Sequence, residues 1–340
     1  MIINRLQSSL IVLLLLVSGQ TPPALTLPTL DATRIWDAAS HCAFTDIAHW
    51  QGRFYITCRE SNAHVYGTDG KIRVIVSDDG VAWQSFALIQ EDGVDLRDPK
   101  LSTTPDGRLM LLFGGSYYHG RTLQRRQPRV AFLSPGEETF TDPVPIVVDE
   151  SITTHVDWLW RVTWHQGTAY GVIYQHLGDR VGLYLVKSDD GIHYDALHSF
   201  DITGRPNETT VRFNAAGEML LFIRRGSEDR QGFIARAAPP FTDWQVEPMG
   251  ERVGGPNMIL LDDDTTLMAF RRYTNPKTTV LGVLGEDGQF TQTHRTQTAG
   301  DCGYPGLLVH EDELWICDYS SHEQGTAIYL SRVPLGEFVR

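Results

Sequence analysis

Residues 98–115 read DPKLSTTPDGRLMLLFGG and contain the unit that decides the fold. A short apolar strand leads into the turn at Gly107, and a second apolar strand leads out of it. Short strands separated by Gly, Asp, Asn and Pro turns are typical of all-β proteins. The same unit recurs in residues 46–60, 161–175, 208–225, 256–272 and 304–319.

The spacing of these six units indicates a β-propeller. Their turns follow one another at intervals of about 50 residues, which is enough chain for one four-stranded sheet. The sequence therefore predicts an all-β, six-bladed propeller of four-stranded antiparallel blades. We expect strands near residues 327–333 to join the segment around 35–39 and close the ring. A β-sandwich with coincidental spacing is the alternative, and the six matches favour the propeller.

The first 20 residues differ from the rest of the chain. Arg5 is the lone charge before the apolar run of residues 10–17, and small residues follow, as in a secretory signal peptide. That run is far shorter than the roughly 20 residues that span a bilayer. We predict a signal peptide at 1–20, a linker at 21–33 and a single domain at 34–340. The mature protein is expected to be secreted or periplasmic, without an integral membrane segment.

The charge balance limits the partners. The 340 residues include 29 Lys and Arg against 42 Asp and Glu, a net charge of −13. Nucleic-acid binding needs a basic face, so we expect no nucleic-acid partner. A local arginine cluster can still bind a small anion inside an acidic protein.

The four cysteines allow disulfides in an exported protein. Cys42, Cys58, Cys302 and Cys317 make an even number, and three pairings are open. Neither CxxC nor HxxxH spacing occurs, so the sequence predicts no metal site, and no cofactor is expected.

A second motif repeats in residues 77–83 and 188–194, with the pattern S-x-D-G-x-x-aromatic. We expect the Asp to accept backbone N–H groups of its own turn, and the Gly to adopt a positive φ. The aromatic residue would anchor the hairpin on its sheet. We assign this motif a bracing role and no chemistry.

Ligand sites of propellers form at the mouth of the central channel, from the start of the first strand and the end of the second strand of each unit. Polar residues occupy these two positions in almost every unit. The candidates at the first position are Asp46, Arg97, Asp98, Arg161, Glu208, Asn257 and Tyr304. The candidates at or just after the second are Arg59, Arg224, Arg271, Asp318 and His322.

Other polar and aromatic residues receive more general predictions. Arg126 belongs to a basic run on a long loop that is solvated or shapes the pocket rim. Trp158 packs between blades or stacks on a sugar. The histidines other than His322, among them His64 and His176, are expected to be ordinary surface or loop residues.

The repeats, the two Asp turns and several spacings resemble the sialidase superfamily of Asp-box (BNR) propellers. Sialidases carry a glutamate one hairpin before a substrate-binding arginine, where Glu208 and Arg224 stand here. A further arginine matches Arg271. A tyrosine opens the last unit with an acidic residue on the next strand, matching Tyr304 and Asp318.

This resemblance implies an exo-acting glycoside hydrolase. Tyr304 would be the nucleophile, activated by Glu208 or Asp318, and an acid/base Asp would come from the first two units, where Asp46, Asp69 and Asp98 are open. Arginines would clamp an anionic sugar. The implied substrate-binding set is Arg59, Arg97, Arg161, Arg224, Arg271, Asn257 and His322.

The chain departs from the family pattern in its first unit. Residues 43–48 read AFTDIA and lack the arginine that completes the triad of sialidases; Arg59, Arg97 or Arg161 would have to replace it. The sequence therefore predicts a hydrolase for terminal, anionic sugars without specifying sialic acid. Two alternatives stay open: a non-catalytic carbohydrate-binding propeller, and a propeller polysaccharide lyase that uses Tyr304 with His322.

Overall fold

The computed structural model describes residues 27–226, 229, 231–261 and 265–338. The predicted signal peptide and residues 21–26 of the predicted linker lie outside these ranges. The described regular structure is β, apart from one short 3-10 helix. No helix in the described ranges is long and apolar enough to cross a bilayer.

The strands follow one another with short connections. The first twelve are β1 (Thr29–Leu30), β2 (Thr33–Trp36), β3 (His41–Trp50), β4 (Arg53–Ser61), β5 (Lys71–Ser77), β6 (Gln84–Ile89), β7 (Asp95–Thr103), β8 (Leu109–His119), β9 (Thr122–Leu133), β10 (Val144–Pro145), β11 (Val147–Val148) and β12 (Asp157–His165). The others are β13 (Thr168–Leu177), β14 (Arg180–Ser188), β15 (His193–Ser199), β16 (Pro206–Phe213), β17 (Met219–Arg225), β18 (Gln231–Ala237), β19 (Gln245–Leu260), β20 (Thr266–Arg272), β21 (Thr278–Leu284), β22 (Phe290–Thr296), β23 (Cys302–His310), β24 (Glu313–Ser320) and β25 (Ala327–Pro334), followed by the 3-10 helix Leu335–Glu337.

These strands form five sheets in a propeller-like arrangement. Four sheets have four or five strands, in the orders β3-β4-β5-β6, β10-β9-β8-β7, β11-β15-β14-β13-β12 and β2-β25-β24-β23. The fifth has eight strands in the order β1-β22-β21-β20-β19-β18-β17-β16. Neighbouring strands are antiparallel except where the short β1 and β11 join β22 and β15 in parallel.

The prediction of six separate four-stranded sheets is corrected by β19. Its first half pairs with β18 through residues 245–252, and its second half pairs with β20 through residues 253–260. β19 is thus both the last strand of the group β16–β19 and the first strand of the group β19–β22. Because no turn divides β19, the two groups of strands form one hydrogen-bonded sheet.

The ends of the domain meet as the sequence predicts. β2 pairs antiparallel with β25, so an N-terminal strand completes the sheet of the last repeat. The pairing segment is Thr33–Trp36, slightly before the expected residues 35–39. Part of the predicted linker is also ordered as a strand, because Thr29–Leu30 pairs with β22.

The first strand of every repeat carries a β-bulge at the same place. In β3, β7, β12, β16, β19 and β23, two residues oppose one residue of the neighbouring strand. Such bulges re-aim side chains and are frequent beside functional sites. The bulged pairs are 44–45, 98–99, 160–161, 207–208, 255–256 and 304–305.

These bulges converge at the centre of the molecule. The rings of Phe44 and Trp160 have centroids 5.1 and 5.6 Å from the ring of Tyr304. Gly255 has a φ of 57°, and a Cβ there would lie 2.6 Å from Tyr304 Cγ. Only glycine therefore lets the chain approach this tyrosine so closely.

The two Asp turns have the expected hydrogen bonds. Asp79 Oδ1 accepts the N–H groups of Val81 and Ala82 at 2.8 and 2.9 Å, and Asp190 Oδ1 accepts those of Ile192 and His193. The following glycines, at positions 80 and 191, have φ of 69° and 77°. These turns lie at the outer hairpins, away from the central cavity.

The four cysteines are free and buried, so the disulfides that their number allowed are not formed. They pack inside strands as small apolar side chains. Burial raises the pKa of the Cys42 and Cys302 thiols to about 12, which keeps both protonated.

Candidate functional site

A cavity of about 200 Å³ opens where the bulged strands meet. Its wall combines aromatic rings with two carboxylates, three arginines and two histidines. The carboxylates are Asp98 and Glu208, and the arginines are Arg97, Arg126 and Arg224. A mostly pre-formed cavity with few converging charged groups is typical of a small-molecule site.

Tyr304, Glu208 and Arg224 form the centre of this site. Tyr304 Oη donates a 2.8 Å hydrogen bond to Glu208 Oε1. Arg224 Nη1 binds the same carboxylate oxygen and lies 3.4 Å from Tyr304 Oη. The Gly255 N–H donates to Glu208 Oε2 at 3.0 Å. The carboxylate is thereby fixed beside the phenol, within the reach that proton transfer requires.

Burial and neighbouring charges set the protonation states of Tyr304 and Glu208. Burial and the nearby Glu208 charge raise the pKa of Tyr304 well above its ordinary value. Burial also acts to raise the pKa of Glu208, but the charge and hydrogen bond of Arg224 outweigh it, and the pKa is lowered. A neutral tyrosine thus faces an ionised glutamate, which can accept its proton.

Asp98 is the second carboxyl group of the cavity. It occupies the bulge of β7 with a φ of 54°, which turns it away from the regular strand direction. Within the described ranges its carboxylate accepts no hydrogen bond. Burial raises the pKa of Asp98 despite the opposing charges of Arg97 and Lys100, so it can hold a proton that a leaving group needs.

The other predicted acids lie outside the cavity wall. Asp46 is buried and pairs with Arg161 Nη1 at 2.9 Å, while its Oδ2 accepts the Leu101 N–H at 2.9 Å. Asp318 is buried and accepts a 2.6 Å hydrogen bond from Thr296 Oγ1. Since each faces its own internal partner, the structure brings neither to Tyr304. Asp69 is exposed.

The predicted substrate-binding residues also divide into those at the cavity and those held by internal partners elsewhere. Arg97 and Arg224 line the cavity. Arg271 lies beside it, with its guanidinium carbon 5.1 Å from the Tyr304 ring centroid. Arg59 is fully buried and pairs with Asp95 at 2.6 Å, so it braces the first two repeats instead.

Three more predicted binding residues are structural or distant. Arg161 is held by Asp46, as described above. Asn257 Nδ2 donates to the Pro305 carbonyl at 3.0 Å and supports the bulge that carries Tyr304. His322 Nδ1 lies 2.8 Å from Ser320 Oγ and lines a separate cleft beside β20–β22. The pairing of Tyr304 with His322 that a lyase would use is therefore not formed.

His64 and His176, which the sequence predicts to be ordinary surface or loop histidines, both line the cavity. His176 comes two residues after Tyr174 on β13, so the alternation of a strand places both on one face. His64 lies in the loop after β4, whose path the sequence does not specify.

His64 also belongs to a cluster around Asp301. His41 Nε2 and His64 Nδ1 lie 2.9 and 2.8 Å from Asp301 Oδ2, and the three groups could jointly face a metal ion. However, the buried Nδ1 of His41 has no partner in the described part of the chain, and metal-bound histidines usually donate their second N–H. The cluster therefore fits a hydrogen-bonded carboxylate better.

The position of Asp318 predicts how stability depends on pH. Burial raises its pKa to about 7, although the hydrogen bond from Thr296 acts to lower it. Between about pH 4 and pH 7 the folded protein holds a proton that the unfolded chain has released, so this contribution to stability is complete below pH 4 and is lost as pH rises. At pH 8, Asp318→Asn is expected to exceed wild type in free energy of unfolding by up to about 4 kcal/mol.

Urea titrations of both proteins at pH 4, 6 and 8 measure this difference. It is expected to shrink towards pH 4, where both side chains are neutral. An advantage of the variant that stays constant with pH would contradict the assignment.

Comparison with known proteins supports the fold. No family model matches the chain, and no curated protein matches it. Among solved structures, a protein of unknown function from Dyadobacter fermentans is 16% identical, with a TM-score of 0.77 over 89% of this chain and 98% of that one. The K499G mutant of NanB sialidase from Streptococcus pneumoniae is 9% identical, with a TM-score of 0.68 over 91% and 71%.

Trypanosoma rangeli sialidase in complex with sialic acid is 11% identical, with a TM-score of 0.66 over 92% of this chain. This chain spans 58% of the trypanosomal protein. At these identities the likeness concerns the fold alone. The chain has a sialidase-like, propeller-like β fold.

Proposed function

We propose that this chain is a sialidase-like glycoside hydrolase that releases terminal sugars from glycans or polysaccharides. The hydrogen bond between Tyr304 and Glu208, with Arg224 on the same carboxylate oxygen, carries the proposal. Tyr304 lines the cavity, and its hydroxyl lies within proton-transfer distance of an ionised base, which is the arrangement that activates a nucleophile. We further propose that residues 1–20 direct export, in line with their resemblance to signal peptides.

The six equivalent bulges support a finer description of the fold. We propose that the eight-stranded sheet holds two blades that share β19, so the ring has six repeats. The shared hydrogen bonds of the turns at residues 77–83 and 188–194 support their description as Asp boxes.

In the first step, Tyr304 Oη attacks the anomeric carbon while the bond from that carbon to the leaving oxygen breaks. The phenolic proton passes to Glu208, and Asp98 gives its proton to the leaving oxygen. A neutral nucleophile avoids repulsion with an anionic sugar. The products of this step are the free alcohol and a sugar joined covalently to Tyr304.

In the second step, water attacks the same carbon. Asp98, now ionised, takes the proton of the water, and the bond to Tyr304 breaks as Glu208 returns the phenolic proton. Two displacements at one carbon retain the anomeric configuration. The side chains end in their starting states, so the net reaction is hydrolysis of one glycosidic bond.

A product screen tests this proposal. The purified protein is incubated with aryl glycosides and a glycan mixture. Mass spectrometry measures the product masses, and proton NMR determines which anomer forms first. We expect added water in the products and retention of configuration. Sugar binding with no turnover would instead indicate a binding propeller, and an unsaturated uronate product would indicate a lyase.

A further inference from the structure

Arg271 already has an internal anionic partner. Its Nη1 lies 3.4 Å from Asp301 Oδ1 and donates to the Cys302 carbonyl at 3.1 Å, while Nη2 lies 3.4 Å from Tyr273 Oη. Asp301 is held in turn by two histidines and by Tyr319 Oη at 3.1 Å. Arg271, one of the arginines that the sialidase resemblance assigns to the substrate, is thus occupied, and a substrate anion would have to displace a protein carboxylate to bind it.

The wall formed by Arg126, Trp158 and His176 has no such anionic partner among the described residues. All three residues line the cavity. Each has a buried nitrogen without a hydrogen-bond partner in the described part of the chain: Nε of Arg126, Nε1 of Trp158 and Nε2 of His176. Buried polar atoms are normally paired, so these orphans, with Nε of Arg97 in the same cavity, which also lacks a hydrogen-bond partner among the described residues, point to a missing ligand group.

Charge on this wall favours an anionic acceptor. Arg126 forms no ion pair with any described carboxylate, and its guanidinium carbon lies 5.2 Å from the Trp158 ring centroid. Burial, together with the charges of Arg126, Arg205 and Arg224, lowers the pKa of His176 to about 4, so the imidazole is neutral at neutral pH. The wall therefore carries an uncompensated positive charge beside the Trp158 N–H and a neutral imidazole.

We propose that Arg126, with Trp158 and His176, binds an anionic substituent of the terminal sugar, either a carboxylate or a sulfate ester. The substrate class is then a hexuronate or a sulfated hexose, recognised through a residue outside the arginine set that the sialidase resemblance implies. This inference rests on the proposed glycosidase function. A planar guanidinium suits both oxyanions, since it can donate two parallel hydrogen bonds.

Calorimetric titration of the Tyr304→Phe protein, which keeps the cavity without turnover, tests the proposal. The probes are methyl glucuronide, methyl glucoside 6-sulfate and methyl glucoside, each as both anomers. Adding Arg126→Met is expected to weaken binding of at least one charged sugar roughly 10- to 100-fold and to leave the neutral sugar within about twofold. A stronger effect on the glucuronide identifies a carboxylate, and a stronger effect on the 6-sulfate identifies a sulfate ester.

Arg125→Met is the matched control, because Arg125 is exposed and lies next to Arg126 outside the cavity wall. It removes the same charge and is expected to leave all affinities unchanged. Arg126→Lys is expected to recover part of the preference for the charged sugar. Recovery would show that the loss in the methionine variant comes from the missing charge and not from misfolding.

The possible results separate this inference from the hydrolase proposal. Equal weakening of charged and neutral sugars, an equal loss in Arg125→Met, or no binding of any charged probe overturns the anion site. Charged-sugar binding that depends on Arg126, without hydrolysis by the wild type, would support the anion site and overturn the hydrolase proposal. Hydrolysis of neutral glycosides as fast as charged ones would support the hydrolase proposal and overturn the proposed anion site.

Discussion

The Tyr304→Phe variant is expected to lose at least about 10³-fold in kcat for glycoside hydrolysis, with KM changed by only a few fold. The change removes one oxygen atom and keeps the ring that packs against Phe44 and Trp160. Phenylalanine cannot form the covalent intermediate or pass a proton to Glu208. Initial-rate kinetics on the best aryl glycoside of the product screen measure the loss.

Tyr319→Phe is the matched control for this experiment. Its ring centroid lies 6.0 Å from that of Tyr304, but its hydroxyl donates to Asp301 at 3.1 Å rather than to Glu208. We expect kcat within a few fold of wild type. Glu208→Gln keeps a hydrogen-bond acceptor but not a base, and should cost roughly 10²- to 10⁴-fold. Full activity in Tyr304→Phe would exclude the tyrosine mechanism.

The Asp46→Asn variant is expected to lose about 3–5 kcal/mol of unfolding free energy. Asp46 is 1% exposed, and its partner Arg161 is 5% exposed. Without the carboxylate, the buried Arg161 guanidinium has no anionic partner. Lys100 is also close, and burial together with the Arg161 charge lowers its pKa to about 8. The variant would therefore leave neighbouring buried cations uncompensated.

Asp78→Asn provides the comparison for this loss. Asp78 pairs with Arg53 at 2.7 Å, but the two side chains are 79% and 34% exposed. Solvent screens this pair, so its loss is expected to cost under about 1 kcal/mol. Guanidinium unfolding of both variants at pH 7 gives the two values. A small, equal effect in both would show that Asp46 does not stabilise the channel.

The sequence alone predicts the main features of the fold and names five of the residues that line the cavity, Arg97, Asp98, Glu208, Arg224 and Tyr304. Regular turns separated by paired apolar runs predict antiparallel strands, and the strand at the C-terminus pairs with an N-terminal strand near the expected segment. The sialidase resemblance implies Glu208 and Arg224 as a pair, because the family carries a glutamate one hairpin before a substrate-binding arginine. The resemblance also implies Tyr304, which opens the last repeat, and the structure places it at the bulge of β23.

The functions of the other charged residues depended on the tertiary structure. In a linear sequence Asp46, Asp98 and Asp318 are equivalent acids, but packing gives the first an arginine partner, the second the cavity and the third a threonine. Arg126 and His64 reach the cavity through contacts between distant segments, which no local pattern encodes. Repeat and hairpin spacing are local and can be read along the chain, whereas burial and charge pairing depend on neighbours far apart in sequence.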